Sequence, residues 1–520
     1  METTIRNSPA IELYHPDEDH SFLRAVMEQI PSTSGKQLLV PSGNAPTKLA
    51  SSIETNGWDT VFAVRAVDLN RAIERKKTYP ADVSYHYADE DDEVDISASF
   101  LPWAIVPGGD GSNINLKLPF QSGKITINNK DHSIKGGIAV VQVKLAYFPE
   151  ILQNAEPGSY DLKVSPNSID PSIPVVSIIN YLDGETKLSN SSKGILKETI
   201  SEWLTKNMSL FNNVFSTVTL EKLSENADYK WLKSTHMSYA YTDTGSEESS
   251  IFGVLCMTNQ RSATGLPRQI DAACLKSDEK ASYVIKKELF ARYQFLPALP
   301  FAFEGASPAD FILNKEENGI TAKNLKLSKV KYGAINYYPQ VENFEVWLEQ
   351  SYIRTQSRIR TNISPGIDSI VTIITYQTLH LTTKDGKQYL EYTTARESEI
   401  IKKTEVAAGV IVVEVMADLI LAIVAVVAGE FINTIVKKVI ACIVIAIVAA
   451  LISVIIHQII ASLVSGGVSD KVPPISPMAK LATSQILWPL CDPNDQDRFT
   501  LKNVTYNGSI ILCGDPGYLS

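Results

Sequence analysis

Val439 to Ile456 reads VIACIVIAIVAALISVII, without a charge or a proline. Its length sits at the lower bound for a transmembrane helix, about 17 to 25 residues, so length alone does not decide between a membrane span and a buried core element. The flanking residues have to decide.

Two apolar stretches occur, Val406 to Ala428 and Val439 to Val464, joined by GEFINTIVKK, so a helical hairpin is expected within residues 399–465. The first stretch carries Glu414 and Asp418, four apart and therefore on one helical face. A carboxylate at the bilayer centre costs about 2.5–3.5 kcal/mol on insertion scales, which makes this stretch a poor spontaneous anchor. The second stretch has no aromatic belt, and His457 and Gln458 lie near its exit. A helix apolar on every side is either a membrane span or the centre of a large core. Three readings follow: burial inside a soluble protein, conditional insertion as a hairpin, and a constitutive anchor. Burial needs a large apolar partner surface.

The rest of the chain supplies one. Asn343 to Thr394 contains FEVWLEQSYIRTQ, SIVTIITYQTLHLTT and KQYLEYTTA, alternating stretches longer than ordinary strands. Upstream, VDISASFLPWAIV, INLKLPF, KITINN and IAVVQVKLAYFP are strand-like pieces separated by Gly, Asn and Pro turns, as in an antiparallel meander. Helices are expected within NGWDTVFAVRAVDLNRAIERKK (Asn56–Lys77), with Asp59 as N-cap and Phe62, Ala66, Leu69 and Ile73 on one face, from Lys193 to Lys206, and from Ala281 to Phe295. The long apolar helices are expected from Ser398 past Ala461, followed by two short strand-like pieces, RFTLKNVTY and GSIILCG. Residues 1–50 read as a loosely ordered leader, punctuated by PSTSGKQLLVPSGNAP, and residues 51–520 as the folded body.

Composition excludes several function classes. Of 520 residues 44% are hydrophobic and 20% charged, which is globular composition and rules out disorder throughout. The net charge of -10, with no Lys/Arg run interleaved with aromatics, argues against a nucleic-acid partner. Cys256, Cys274, Cys442, Cys491 and Cys513 form no zinc-type spacing and read as reduced, mostly buried thiols, although Cys491 and Cys513 could close a loop if oxidised. METTIRNSPAIELYHPDEDH is no cleavable signal peptide, so synthesis in the cytosol is expected, with any release by a non-classical route.

NGWDTVFAVRAVDLNRAI, followed by a β-rich body and a late apolar helical segment, resembles the bacterial TULIP (tubular lipid-binding) proteins of clostridial toxin gene clusters, the OrfX and forty-seven-kilodalton group. Gly57-Trp58-Asp59, running into Val61, Phe62 and Asp68-Leu69-Asn70, carries most of the likeness, which covers roughly Ser51 to the C-terminus. The resemblance implies an elongated α+β fold, with long, highly twisted antiparallel sheets wrapped around apolar helices. It further implies a hydrophobic groove for acyl chains and work alongside lipid or a membrane-acting toxin.

No catalytic signature competes with that expectation. The histidines, His86, His132, His236, His380 and His457 among them, show no metal spacing, and neither a GxSxG elbow nor a GxxxxGK[ST] loop occurs. PGGDGSN (Pro107–Asn113) reads as a hairpin turn rather than a calcium or phosphate loop, and Asp89–Glu93 as a solvated loop. The expected function is therefore non-enzymatic binding of lipid or another hydrophobic ligand, without cofactor or metal, as an accessory to a bacterial toxin system. Phe62, Leu69, Ile73, Val439, Ile443 and Ile447 are the groove-wall candidates, and Glu414 with Asp418 the candidate pH switch. The alternatives are a toxin-like protein that inserts its 406–464 hairpin into a membrane, and a structural partner in a toxin complex.

Overall fold

The fold is described from a computed structural model at residues 52–88, 92–149, 158–165, 176–220, 231–315, 317–349, 352–408, 414–448, 460, 464, 474–495 and 498–519. The expected leader and most of the second apolar stretch beyond Val448, His457 and Gln458 included, lie outside the described residues.

Antiparallel pairing dominates. One six-stranded sheet runs in the order Ser234–Thr242, Ile251–Thr258, Thr60–Arg65, Ala281–Lys286, Ser509–Asp515, Thr500–Tyr506. Its strand Thr60–Arg65 corrects the first expected helix: Val61 to Val64 are all buried, and Phe62 faces Val254 on one neighbour and Tyr283 on the other. A central strand covered on both faces loses the alternation that marks a strand, so its apolar run mimics a helix. The helix begins only at Ala66 and runs to Lys76, burying Ala66, Leu69, Ala72 and Ile73. The expected Ala281–Phe295 helix is corrected in the same way. Ala281–Lys286 is a strand with five buried residues, and helical geometry starts at Lys287, passes through a π-helical turn at Ala291–Phe295 and ends near Ala302.

Asp59 caps no helix. It is fully buried, accepts hydrogen bonds from the Thr258 N–H (2.7 Å) and Oγ1 (3.1 Å), and pairs with Arg261 at 2.7 Å, tying the start of one strand to the end of its neighbour.

A second, seven-stranded assembly is built on Asn113–Ile127, which pairs with four different strands along its length. Gly123 lies in this strand at φ 135°, where a Cβ would sit 2.3 Å from that of Ala98; only glycine allows the strands to approach so closely. PGGDGSN forms the expected hairpin, and Gly111 is stitched by two backbone hydrogen bonds to Tyr241 of the first sheet. The helix expected at Lys193–Lys206 is present as Asn190–Asn207, capped by the Ser189 hydroxyl.

The long strands form an up-and-down meander: Phe311–Leu313, Gly319–Lys326, Gln340–Leu348, Ile353–Ser364, Ile367–Lys384 and Lys387–Val406. The last spans 20 residues, so residues 399–406, expected to open the helical segment, continue a strand paired with Ile367–Ile374. The expected hairpin joint is also corrected. Glu414–Glu430, a π-helical stretch Phe431–Val436, and Lys437–Val448 follow one another without a turn, as a single helix. Gly429 alone does not break it, because the residues after it bury Phe431, Ile435 and Val436 in register with the core.

Asp59→Ala should lower stability by about 2–3 kcal/mol in urea unfolding, because it leaves the Thr258 amide and Arg261 without their acceptor. Burial raises the Asp59 carboxyl above its ordinary 3.8, so the folded state holds that proton more tightly than the unfolded chain. Its contribution is fully present below 3.8 and declines as pH rises through the higher folded value, so Asp59→Asn should flatten urea midpoints in the window just above 3.8.

Candidate functional site

The long helix divides into two halves with different surroundings. Lys437–Val448 packs against the helical segment Lys287–Ala302 and against the strand Lys387–Val406, and each residue from Val439 to Val448 is at most 3% exposed. Seven of these ten residues are Val or Ile. At about 1.5–3 kcal/mol for each fully buried aliphatic side chain, their transfer from water contributes about 10–20 kcal/mol before entropy is counted.

Glu414–Glu430 packs against Ile367–Lys384, Lys387–Val406 and the short strand Val330–Tyr332. Ile420, Ile423, Val424, Val427 and Ala428 form its buried stripe. The opposite face meets water and is still mostly apolar: Ala417, Leu421, Ala425 and Val426 are exposed, with Asp418 among them. The Glu414 side chain lies outside the described residues. Met416–Val448, 33 residues, is long and apolar enough to cross a bilayer, but the core helix of a soluble protein passes the same test.

The six groove-wall candidates are all at most 2% exposed. They belong to one continuous hydrophobic core but not to one wall. Phe62 is ringed edge-on by Tyr283, Trp488 and Phe499, at centroid distances of 5.7, 5.4 and 6.0 Å. Leu69 and Ile73 lie on the Ala66–Lys76 helix, which packs against Ala104–Asp110, whereas Val439, Ile443 and Ile447 meet the Lys287–Ala302 segment and the edge strand. At these six positions protein atoms fill the interior.

Polar groups inside this core escape a reading by hydrophobicity. Gln294 sits in the π-helical turn, 3% exposed. With its amide assigned so that both neighbours are satisfied, its nitrogen donates to the Ala446 carbonyl at 3.2 Å and its oxygen accepts from the Trp231 indole. A buried hydroxyl band crosses the long sheet: the Thr355 and Thr375 hydroxyls lie 2.6 Å apart, Thr375 donates to Gln377 at 3.2 Å, and Ser357 is fully buried. In RTQSRIRT the inward set, Thr355, Ser357, Ile359 and Thr361, has one apolar member only, so hydrophobicity marks it weakly against the Arg and Gln of the other face.

The structure gathers His86, Glu93 and Asp95 on one exposed hairpin face, with ligand atoms within 4.8 Å of one another and His86 Nδ1 2.9 Å from Asp95 Oδ1. The register His86↔Asp95 produces this proximity, which spacing along the chain does not reveal. In the acidic loop, Asp89, Glu90 and Asp91 lie outside the described residues. The five cysteines are free and buried; Cys491 Sγ donates to the Pro516 carbonyl at 3.0 Å instead of bridging to Cys513. Burial pushes the Cys256 thiol up to about 11 and raises that of Cys442 further.

Fold and site together define a β-rich protein of antiparallel sheets in which the interior half of one apolar helix is covered by a long meander and a helical segment. Residues 55–514 match the OrfX-like family, described as protein OrfX2/OrfX3/P47, and the chain belongs to that family. It is 28% identical over 501 residues to protein OrfX3 of Paraclostridium bifermentans, spanning 89% of this chain and 98% of that protein. Protein OrfX3 of Clostridium botulinum (strain Kyoto / Type A2) is likewise 28% identical, over 73% of this chain and 87% of its own length. Among solved structures, P47 from Clostridium botulinum A2 matches with a TM-score of 0.59 at 17% identity, covering 89% of this chain and 98% of that one. P47 of Clostridium botulinum E1 matches with a TM-score of 0.52 at 17% identity, covering 88% and 99%. The family expected from the Gly57-Trp58-Asp59 region is thus the right one, and the P47 fold is shared.

Ile443→Ala should cost about 3 kcal/mol in chemical unfolding, because the site is closed on all sides and collapses little. A thiol reagent such as dithiobis-nitrobenzoate should titrate no cysteine in the folded protein and all five in denaturant. Fast labelling of a cysteine without denaturant would contradict the closed interior.

Proposed function

We propose that this chain is a non-enzymatic binder of lipid or another hydrophobic ligand and acts as an accessory protein in a bacterial toxin system. The observation that carries the proposal is the Met416–Val448 helix, spanning-length and apolar, with one half sealed in the core and the other showing Ala417, Leu421, Ala425 and Val426 to water. A contiguous apolar face held in water marks a surface that meets an apolar partner. Membership of the OrfX-like family supports the toxin-cluster setting, and the resemblance to tubular lipid-binding proteins supports acyl chains as the ligand. Each methylene moved from water contributes about 0.8 kcal/mol with little directionality, so selectivity for chain length should be loose. In this proposal the chain is made in the cytosol and leaves the cell, where it does, by a non-classical route.

The second reading is membrane insertion, favoured by the unbroken course of the helix through Phe431–Val436. Insertion has to expose Val439–Val448, and the loss of about 10–20 kcal/mol of burial is comparable to or larger than the net stability of a typical domain, about 5–15 kcal/mol, so it requires the bilayer itself as the sink. Asp418, on the exposed face, makes that insertion easier when protonated.

Native mass spectrometry and lipid extraction of protein purified without detergent should reveal co-purifying acyl-chain ligand. Protein that is lipid-free as isolated and takes up no fluorescent fatty acid would overturn the first reading. Dye release from liposomes, stronger at acidic than at neutral pH, would support the second.

A further inference from the structure

The short hairpin Val330–Tyr337 breaks two trends of the molecule at once. The chain is acidic overall at -10, yet Asn318 to Val341 contains four lysines and no acidic residue. All four, Lys323, Lys326, Lys329 and Lys331, are exposed and make no ion pair among the described residues. The register pairs Val330 with Tyr337 and Tyr332 with Ile335, placing these four side chains on one face. Val330 and Tyr337 are buried at 6% and 4%, whereas Tyr332 and Ile335, one step further out, are 39% and 56% exposed. The core-facing side of the hairpin therefore runs past the core and stays apolar in water. Tyr338, directly after it, is 69% exposed.

The long sheet fixes where this tip stands. The register runs Lys326↔Gln340↔Arg360↔Ile370↔Lys403, so the hairpin projects from the end of the sheet that also holds the Ser364–Ile367 turn and the last residues of the edge strand. The helix half carrying Leu421 packs directly against Val330–Tyr332. At this end Glu342 is taken up by Arg358 and Arg360, Asp368 by Arg360, and Glu405 by Arg360 and Lys403. These acids are neutralised within the protein, and the hairpin lysines are not. Asp418 and Glu430 are the exposed acids of the neighbouring helix among the described residues.

We propose that the Val330–Tyr337 hairpin, with the exposed apolar face of the helix beside it, docks the chain on an anionic membrane surface. Tyr332 and Ile335 enter the headgroup region while Lys326, Lys329 and Lys331 lie against acidic lipid. The proposal rests on the lipid-directed reading above and adds the class of surface and the residues that meet it. Tyrosine and isoleucine at a tip ringed by lysine suit an interface that is wet on one side and apolar on the other. Each lysine near an anionic leaflet strengthens binding by about fivefold, and the effect fades with salt.

The test uses the full chain with vesicles of phosphatidylcholine alone and of phosphatidylcholine with phosphatidylserine, read by co-sedimentation. The wild type should bind only the second kind, and less as salt rises. Lys329→Glu with Lys331→Glu should weaken partitioning at least about twentyfold at low salt. Tyr332→Ser with Ile335→Ser should weaken it at every salt concentration. All four positions are exposed, so these variants should keep the wild-type unfolding midpoint. Because the native cysteines are buried, Ile335→Cys gives a single reactive thiol, and an environment-sensitive dye there should brighten and shift to the blue on phosphatidylserine vesicles. Absence of vesicle binding, binding indifferent to both double variants, or an unchanged dye in bound protein would each overturn the proposal. So would self-association abolished by Ile335→Ser in sedimentation velocity without any vesicle binding, which would make the patch an interface between copies. Co-purifying lipid is scored separately: present without docking, it sinks the hairpin proposal alone; docking without it sinks only the bound-ligand reading.

Discussion

The structure depends on sealing Val439–Val448 from every side. A surface helix needs cover along one stripe, but this segment is apolar around its whole circumference, so any uncovered side leaves valine or isoleucine in water. One sheet covers one side only. The Lys287–Ala302 segment provides the second cover, and Gln294 within it links Trp231 to the helix backbone at Ala446. The strand Ala281–Lys286, central in the first sheet, carries that segment into place. The first sheet and the long meander also meet directly, where Ile367–Lys384 packs on Thr500–Tyr506 and the Gln388 side chain donates to the Leu501 carbonyl at 2.7 Å.

The same constraint explains the strand-to-helix switches. Thr60–Arg65 and Ala281–Lys286 are adjacent antiparallel strands, each followed at once by a helix that packs back on the body. Both strands are buried on both faces and so contain few polar residues. Their boundaries are held by groups that accept several hydrogen bonds or donate several: Asp59 at one end, and at the other Arg65, whose guanidinium donates to the Ser249, Leu275 and Lys276 carbonyls. Burial of such groups is tolerated only because their partners are fixed by neighbouring strands.

From Glu430 toward Glu414 the helix emerges from this enclosure. Its buried stripe narrows to one face and the rest remains apolar, next to a basic hairpin on an acidic protein. Sealing one half lets the other stay greasy without unfolding the molecule, because the core half anchors it. In the function proposed above the two halves have separate roles: the enclosed half supplies stability, and the open half with the hairpin supplies the surface offered to an apolar partner.

The sequence by itself determined much of this. The family is written in Gly57-Trp58-Asp59 and the residues after it, and the long alternating strands between Asn343 and Thr394, a helix over Lys193–Lys206 and mostly buried cysteines follow from period and composition. The residues chosen as groove walls are core residues, yet hydrophobicity ranks burial without saying what lies opposite, so Phe62 meets an aromatic cage while Ile443 meets a helix. Only the tertiary structure decided that residues 399–406 pair as an edge strand, that Gly429–Lys438 continues a helix rather than turning, and that Val61–Val64 is extended. Each of these is a short apolar or mixed run whose local preference is nearly balanced. What tips it is the hydrogen-bonding partner or the covering layer, supplied by other segments of the chain, Ile367–Ile374 for residues 399–406 and Ile251–Thr258 with Ala281–Lys286 for Val61–Val64, and therefore absent from any local pattern.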